Sequence, residues 1–197
     1  MTAETQPNDL TDSRSRLLDA ATHLLSQRGY SGTAVKDVLE ASDTVAGSLY
    51  HHFPGGKEDL AAAAVDRAGA WVRAIFATLF EDHGAAGAVD VYFKAIADRL
   101  EDTQFTDGCP IGTPSADAPV TARKVQEAAG AAFAGWQKAM VDQLVREGWT
   151  RPSARDLATN FVSLYEGAIL VSRAERTTRP VKAAARLGRA LIEAGPA

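Results

Sequence analysis

Gly47-Ser48-Leu49-Tyr50-His51-His52-Phe53-Pro54-Gly55-Gly56-Lys57-Glu58-Asp59-Leu60 decides how the rest of this 197-residue chain is read. Val45 to Phe53 has the apolar spacing of a short helix, and Pro54-Gly55-Gly56 ends it. At about 100° per residue, Leu49 and His52 fall within roughly 40° of Val45 on a helical wheel. This spacing assigns Val45 and Leu49 to a core, and Ala46, Gly47, Tyr50 and His51 to the outer face.

Upstream, Val35, Val38 and Leu39 mark a first short helix, separated from the second by Ser42-Asp43-Thr44. Before it, Leu17, Leu18, Ala21, Leu24 and Leu25 form one apolar stripe, with N-caps available at Thr11, Asp12 and Ser13 and a stop at Gly29. Three helices, two of them short and joined by a tight turn, form a helix-turn-helix pattern. Downstream, helical periodicity runs from Lys57 to Glu81, breaks at His83-Gly84 and resumes through Val89 and Leu100. Gly108 to Pro119 reads as a loop with three prolines. Further helices follow through Val125 to Leu144, from Pro152 to Arg173, and from Pro180 onward. No segment alternates as a strand does, so the fold class is all-α. The expected organisation is a disordered leader over 1–11, a helix-turn-helix domain over 12–56, and a larger helical domain over 57–197.

Composition narrows the function classes. There is no apolar run of membrane-spanning length and no apolar leader, so a cytoplasmic chain that does not engage membranes is expected. Cys109 is the sole cysteine, which excludes an internal disulfide and any multi-cysteine zinc site. His51 and His52 have no third ligand at sensible spacing. No metal and no cofactor is expected, and no nucleophile–base pairing or phosphate-cradling glycine loop points to an enzyme. Charge does not advertise a nucleic-acid partner. The first 60 residues carry five basic side chains (Arg14, Arg16, Arg28, Lys36, Lys57) against nine carboxylates.

The stretch from Gly47 to Leu60 resembles the recognition helix and following turn of the TetR family of regulators. Its His-His-Phe-Pro-Gly-Gly-Lys form, Gly108-Cys109-Pro110-Ile111 and Tyr165-Glu166-Gly167-Ala168 resemble the LmrA/YxaF-type subgroup. The resemblance covers residues 12 to about 192 and implies a DNA-binding, ligand-responsive regulator. By position it implies that Thr33 bonds a phosphate, that Gly47, Ser48, Tyr50 and His51 enter the major groove or meet its backbone, and that Lys57 stands beside a phosphate. Ala46, outward on the wheel, joins this DNA-binding set. The sequence departs from the family at Asp43, Val45 and Ala46, where a turn glycine, a small residue and a lysine are usual. Aspartate tolerates left-handed turn geometry.

Trp71, Phe76, Tyr92, Phe93, Phe133, Trp136 and Met140 place an aromatic-rich apolar stripe on three helices. A plain core accounts for such a stripe. The resemblance implies instead that they enclose a small, largely apolar or aromatic effector. The Tyr165 hydroxyl is placed to orient such a ligand, and Cys109, with no flanking Lys, Arg or His to activate it, reads as a structural or pocket-lining thiol rather than a redox sensor. The helix over 152–173 has two apolar stripes, one through Leu157 and Phe161, the other through Val162 and Ile169. One stripe can face the domain and the other needs a partner. A homodimer through Val162, Ile169, Ala184, Leu187, Gly188 and Leu191 is expected, matching a palindromic double-stranded DNA operator. The expected function is a repressor that leaves its operator when an effector binds. The alternative is a small-molecule-binding protein of the same fold with weakened DNA binding.

Overall fold

Eight helices and no strand make up the described residues of the computed structural model, which run from 7 to 195, with side chains from 12. The expected all-α class holds. The helices group into two units, one comprising residues through Ala68 with Pro110–Gly130, the other Gly69–Cys109 with Ala131–Ala197.

The first unit contains α1 (Pro7–Arg28), α2 (Val35–Ala41), α3 (Ala46–His52), the start of α4 (Lys57–Asp102), α5 (Gly112–Asp117) and the start of α6 (Arg123–Arg146). Its core is the α1 stripe, Leu17, Leu18, Ala21, Leu24 and Leu25, closed by Val38, Leu49, Phe53 and Leu60. Ala122 and Val125 join the same core from the second stretch of chain. Each buried Leu, Val or Phe side chain there stabilises the unit by about 1.5–3 kcal/mol relative to exposure.

Several readings of the sequence change here. Of the leader expected over 1–11, residues 1–6 lie outside the described residues. Residues 7–11 open α1 instead, beginning at Pro7, a residue suited to a first helical turn. The helix therefore runs through Thr11, Asp12 and Ser13, which do not cap it. Gly108 to Pro119 is not all loop, since α5 forms a short helix within it. That stretch belongs with the helix-turn-helix unit, a grouping that a break between 56 and 57 does not contain.

In the second unit, α4 is two helices meeting at Gly84, whose backbone is non-helical (φ 63°, ψ −176°). This is the break expected at His83-Gly84. A left-handed φ favours glycine, and the amide N–H freed beyond it, Ala85 N, donates to Glu147 Oε1 at 2.7 Å. Helix α7 (Arg151–Glu175) starts at the N-cap Thr150, whose hydroxyl accepts from Ser153 N, with Pro152 in the first turn. Helix α8 (Arg179–Glu193) follows, again with proline in its first turn. The two helices pack together: the Ser172 hydroxyl, fully buried, accepts from Val181 N.

Candidate functional site

Helix α3 is held from below by Leu49, fully buried, and by Phe53 just after it. Ala46, Gly47, Tyr50 and His51 are exposed, as the wheel predicts. Val45 is not in the core: it is 71% exposed. The reason is its backbone. Val45 is the N-cap, with extended φ/ψ (−107°, 157°), so a helical wheel does not describe it. The outer face therefore reads Val45, Ala46, Gly47, Tyr50, His51, apolar and small at its start and hydrogen-bonding further along.

The turn before α3 depends on Asp43, whose φ is +48°. The left-handed geometry expected where the family carries glycine is thus present. Arg16 of α1 donates to the Asp43 carbonyl at 3.0 Å and also pairs with Asp12 and the Asp43 carboxylate. Arginine thereby offsets the acidic charge the turn introduces.

Three residues of the expected DNA-binding set make contacts within the chain. Thr33 is 3% exposed and its hydroxyl donates to the Gly29 carbonyl at 2.7 Å, which locks the α1–α2 corner. Ser48 is half-buried and donates to Ser13 Oγ at 3.0 Å, which in turn lies 3.2 Å from His52 Nε2. This network ties α3 to α1 rather than reaching outward. Lys57 folds over the Tyr30 ring, with Nζ 4.4 Å from its centroid, and its burial lowers its pKa. Its ammonium is engaged with the aromatic face.

A second set of contacts, invisible in the sequence, braces this module. Asp117, at the end of α5, accepts from the backbone N–H of Tyr30 at 2.6 Å and of Ser31 at 2.9 Å. Its carbonyl accepts from the Ser31 hydroxyl. On the other side, Lys124 of α6 donates from its backbone to Glu58 and from Nζ to Asp59 at 2.5 Å. Asp59 also accepts from Gly55 N, and these bonds hold its carboxyl below the ordinary range. Both turns flanking the helix pair are thus fastened to residues more than sixty positions away.

Within the second unit the expected ligand-lining side chains divide. Phe76, Tyr92, Phe93, Trp136 and Tyr165 are buried and form one aromatic cluster, with Phe76 4.6 Å from Tyr92 and Trp136 5.7 Å from Tyr165 between ring centroids. Phe133 is half-buried against Trp136. The Tyr92 hydroxyl donates to that of Tyr165 at 3.3 Å, and burial raises both phenols. Cys109 is buried and hydrogen-bonds Glu166. Trp71, in contrast, is 58% exposed and lines nothing inward. Met140 is buried and lines an apolar groove together with residues of α7 and α8.

The dimer residues also divide. Val162, Ile169 and Ala184 are buried within the single chain. Gly188 is buried too, and a Cβ added there would lie 3.4 Å from Val89. Leu187 and Leu191 stay exposed, beside the sequence-missed Leu164, Asn160 and Ser163, around an apolar groove of about 400 Å³. Leu170 and Val171 are exposed on α7 as well. Leu164 shares the helical face of Leu157 and Phe161, all three of which line this groove.

Among the described residues no cluster of three His, Cys, Asp or Glu side chains is placed to hold a metal ion. Among the described residues, no helix is long and apolar enough to cross a membrane.

Comparison with known proteins matches residues 17–64 to the bacterial regulatory proteins of the TetR family and residues 85–187 to the LmrA/YxaF-like transcriptional regulator C-terminal domain. The chain is 30% identical over 171 residues to the HTH-type transcriptional regulator LmrA of Bacillus subtilis, covering 86% of this chain and 91% of that protein. It is 28% identical over 178 residues to the HTH-type transcriptional repressor DhaR of a Mycobacterium species, covering 87% of each. A TetR transcriptional regulator from Legionella pneumophila shares the fold, with a TM-score of 0.78 at 22% identity over 95% of this chain and 97% of that one. These relatives are transcriptional regulators, not enzymes. The chain belongs to the TetR family of DNA-binding transcriptional regulators, with a C-terminal domain of the LmrA/YxaF-like type.

Proposed function

We propose that the protein is a ligand-responsive repressor that binds a palindromic operator as a homodimer and is released by a small, largely apolar effector. The observation that carries the reading is α3 itself, whose outer face leaves Val45, Ala46, Gly47, Tyr50 and His51 free while Leu49 anchors it. Small residues at the start of a recognition helix allow close approach to base edges, and a phenol and an imidazole add hydrogen bonds to bases or phosphates. The name of DhaR, a repressor, supports the sign of regulation.

Dimerisation is assigned to the exposed α7–α8 face around Leu164, Leu187 and Leu191 rather than to Val162, Ile169 and Ala184. An apolar groove of this size is a natural place for a second copy to bury leucines. The effector reading places the ligand against the aromatic cluster of Tyr92, Trp136 and Tyr165. The effector must bind the released state better than the DNA-bound state, or no release follows.

Footprinting on the DNA flanking the gene, repeated at rising salt, tests the reading. A protected inverted repeat whose affinity falls steeply with salt is expected. Absence of protection at low salt, with ligand binding intact, overturns the repressor and leaves a ligand-binding protein of the same fold.

A further inference from the structure

One ionisable group among the buried aromatics was not anticipated from the sequence as part of a site. Glu166 lies on α7 next to Tyr165. Its Oε1 is sealed from solvent with no hydrogen-bond partner. Burial raises its pKa to about 7, and the one opposing influence is the hydrogen bond with the Cys109 thiol. No Lys, Arg or His figures among the groups that shift it. Arg99 acts on Tyr92 and is itself paired with Asp107 at 2.8 Å.

A second orphan lies in the same cluster. Trp136 is 3% exposed, and its Nε1 has no acceptor. Its ring meets Tyr165 edge-on at 5.7 Å, and Tyr165 is 5.5 Å from Tyr92 and 5.9 Å from Phe93. Buried polar atoms are nearly always satisfied, and an ionised buried carboxyl without a cation is unfavourable. Here an unfilled acceptor and an unfilled donor adjoin one group of aromatic rings. Aromatic faces and a carboxylate attract the same species, an organic cation.

We propose that Glu166 anchors the effector and that the effector is an aromatic amine bound in its protonated form. Its ammonium N–H groups donate to Glu166 Oε1, its ring packs against Tyr92, Trp136 and Tyr165, and Trp136 Nε1 donates to an acceptor on the same molecule. The inference rests on the effector-site reading above and adds the charge of the ligand.

The test is calorimetric titration of the full chain at pH 8 with three isosteric probes: 2-naphthylethylammonium, 2-naphthylethanol and 2-propylnaphthalene. The ammonium probe is expected to bind at least about tenfold more tightly than either neutral probe. Glu166→Gln is expected to abolish that preference and to leave the hydrocarbon's affinity unchanged. Equal affinity of all three probes, or a preference that survives Glu166→Gln, overturns the amine assignment while the effector site stands. If none of the three binds up to its solubility, both the assignment and the effector site fall. The ratio among probes is read on the unaltered protein, so it decides even if the variant does not fold.

Discussion

Asp117 accepts the backbone N–H of Tyr30 at 2.6 Å, a bond between residues 87 positions apart. With the parallel bond from Ser31, one carboxylate satisfies two amides at the corner between α1 and α2, immediately before the buried Thr33. The corner also needs Gly29, whose φ of +71° and contact with the Asp117 carboxylate leave no room for a Cβ. The geometry of the helix-turn-helix is therefore set partly by chain that lies far downstream of it.

Asp117→Ala removes both acceptors. It is expected to lower stability by about 1–2 kcal/mol, since the amides sit at an exposed corner where water compensates part of the loss. Chemical unfolding of the variant against the parent chain checks this. Asp117→Asn, which keeps one acceptor oxygen, should lose less.

Glu166 makes stability depend on pH. Its carboxyl titrates near 7 in the folded chain against 4.5 ordinarily, so between those values the folded chain holds a proton the unfolded chain has released. Its contribution is fully present below about pH 4.5, declines as pH rises, and is gone above about 7, a loss on the order of 3 kcal/mol. Urea unfolding at pH 5 and pH 8 should show a larger decline for the parent chain than for Glu166→Gln. An equal decline in both would refute the assignment.

On α3, two substitutions separate packing from contact. Leu49→Ala, at a fully buried position, should destabilise by about 2–5 kcal/mol. Tyr50→Ala, at a residue 55% exposed, should leave the melting temperature nearly unchanged and weaken operator binding about tenfold or more. Thermal melts and gel-shift titrations on the two variants supply the comparison.

Leu187→Glu and Leu191→Glu place charge on the exposed α7–α8 face. Both should yield folded monomers by sedimentation, with operator affinity lost alongside. Val162→Glu and Ile169→Glu should unfold the chain instead, because those side chains are buried within it. A folded monomer from Val162→Glu would reverse the assignment of the interface.

By itself, the sequence determined the helices, the helix-turn-helix and the outward residues Ala46, Gly47, Tyr50 and His51, since periodicity and Gly/Pro punctuation are local properties of the chain. It also determined the family, through the long motif ending at Leu60. Tertiary structure alone decided how those residues are used. Helical spacing places Thr33 and Ser48 on a helix but cannot say that their hydroxyls are taken by Gly29 and Ser13. Two apolar stripes on α7 announce burial on two sides without saying whether the same chain or another covers them; Val162 and Ile169 are buried within the single chain, while Leu164, Leu187 and Leu191 border an apolar groove. The clamp of Asp117 on Tyr30 and the orphaned oxygen of Glu166 depend on segments dozens of residues apart. No local pattern encodes such contacts, because they exist only once packing has brought the segments together.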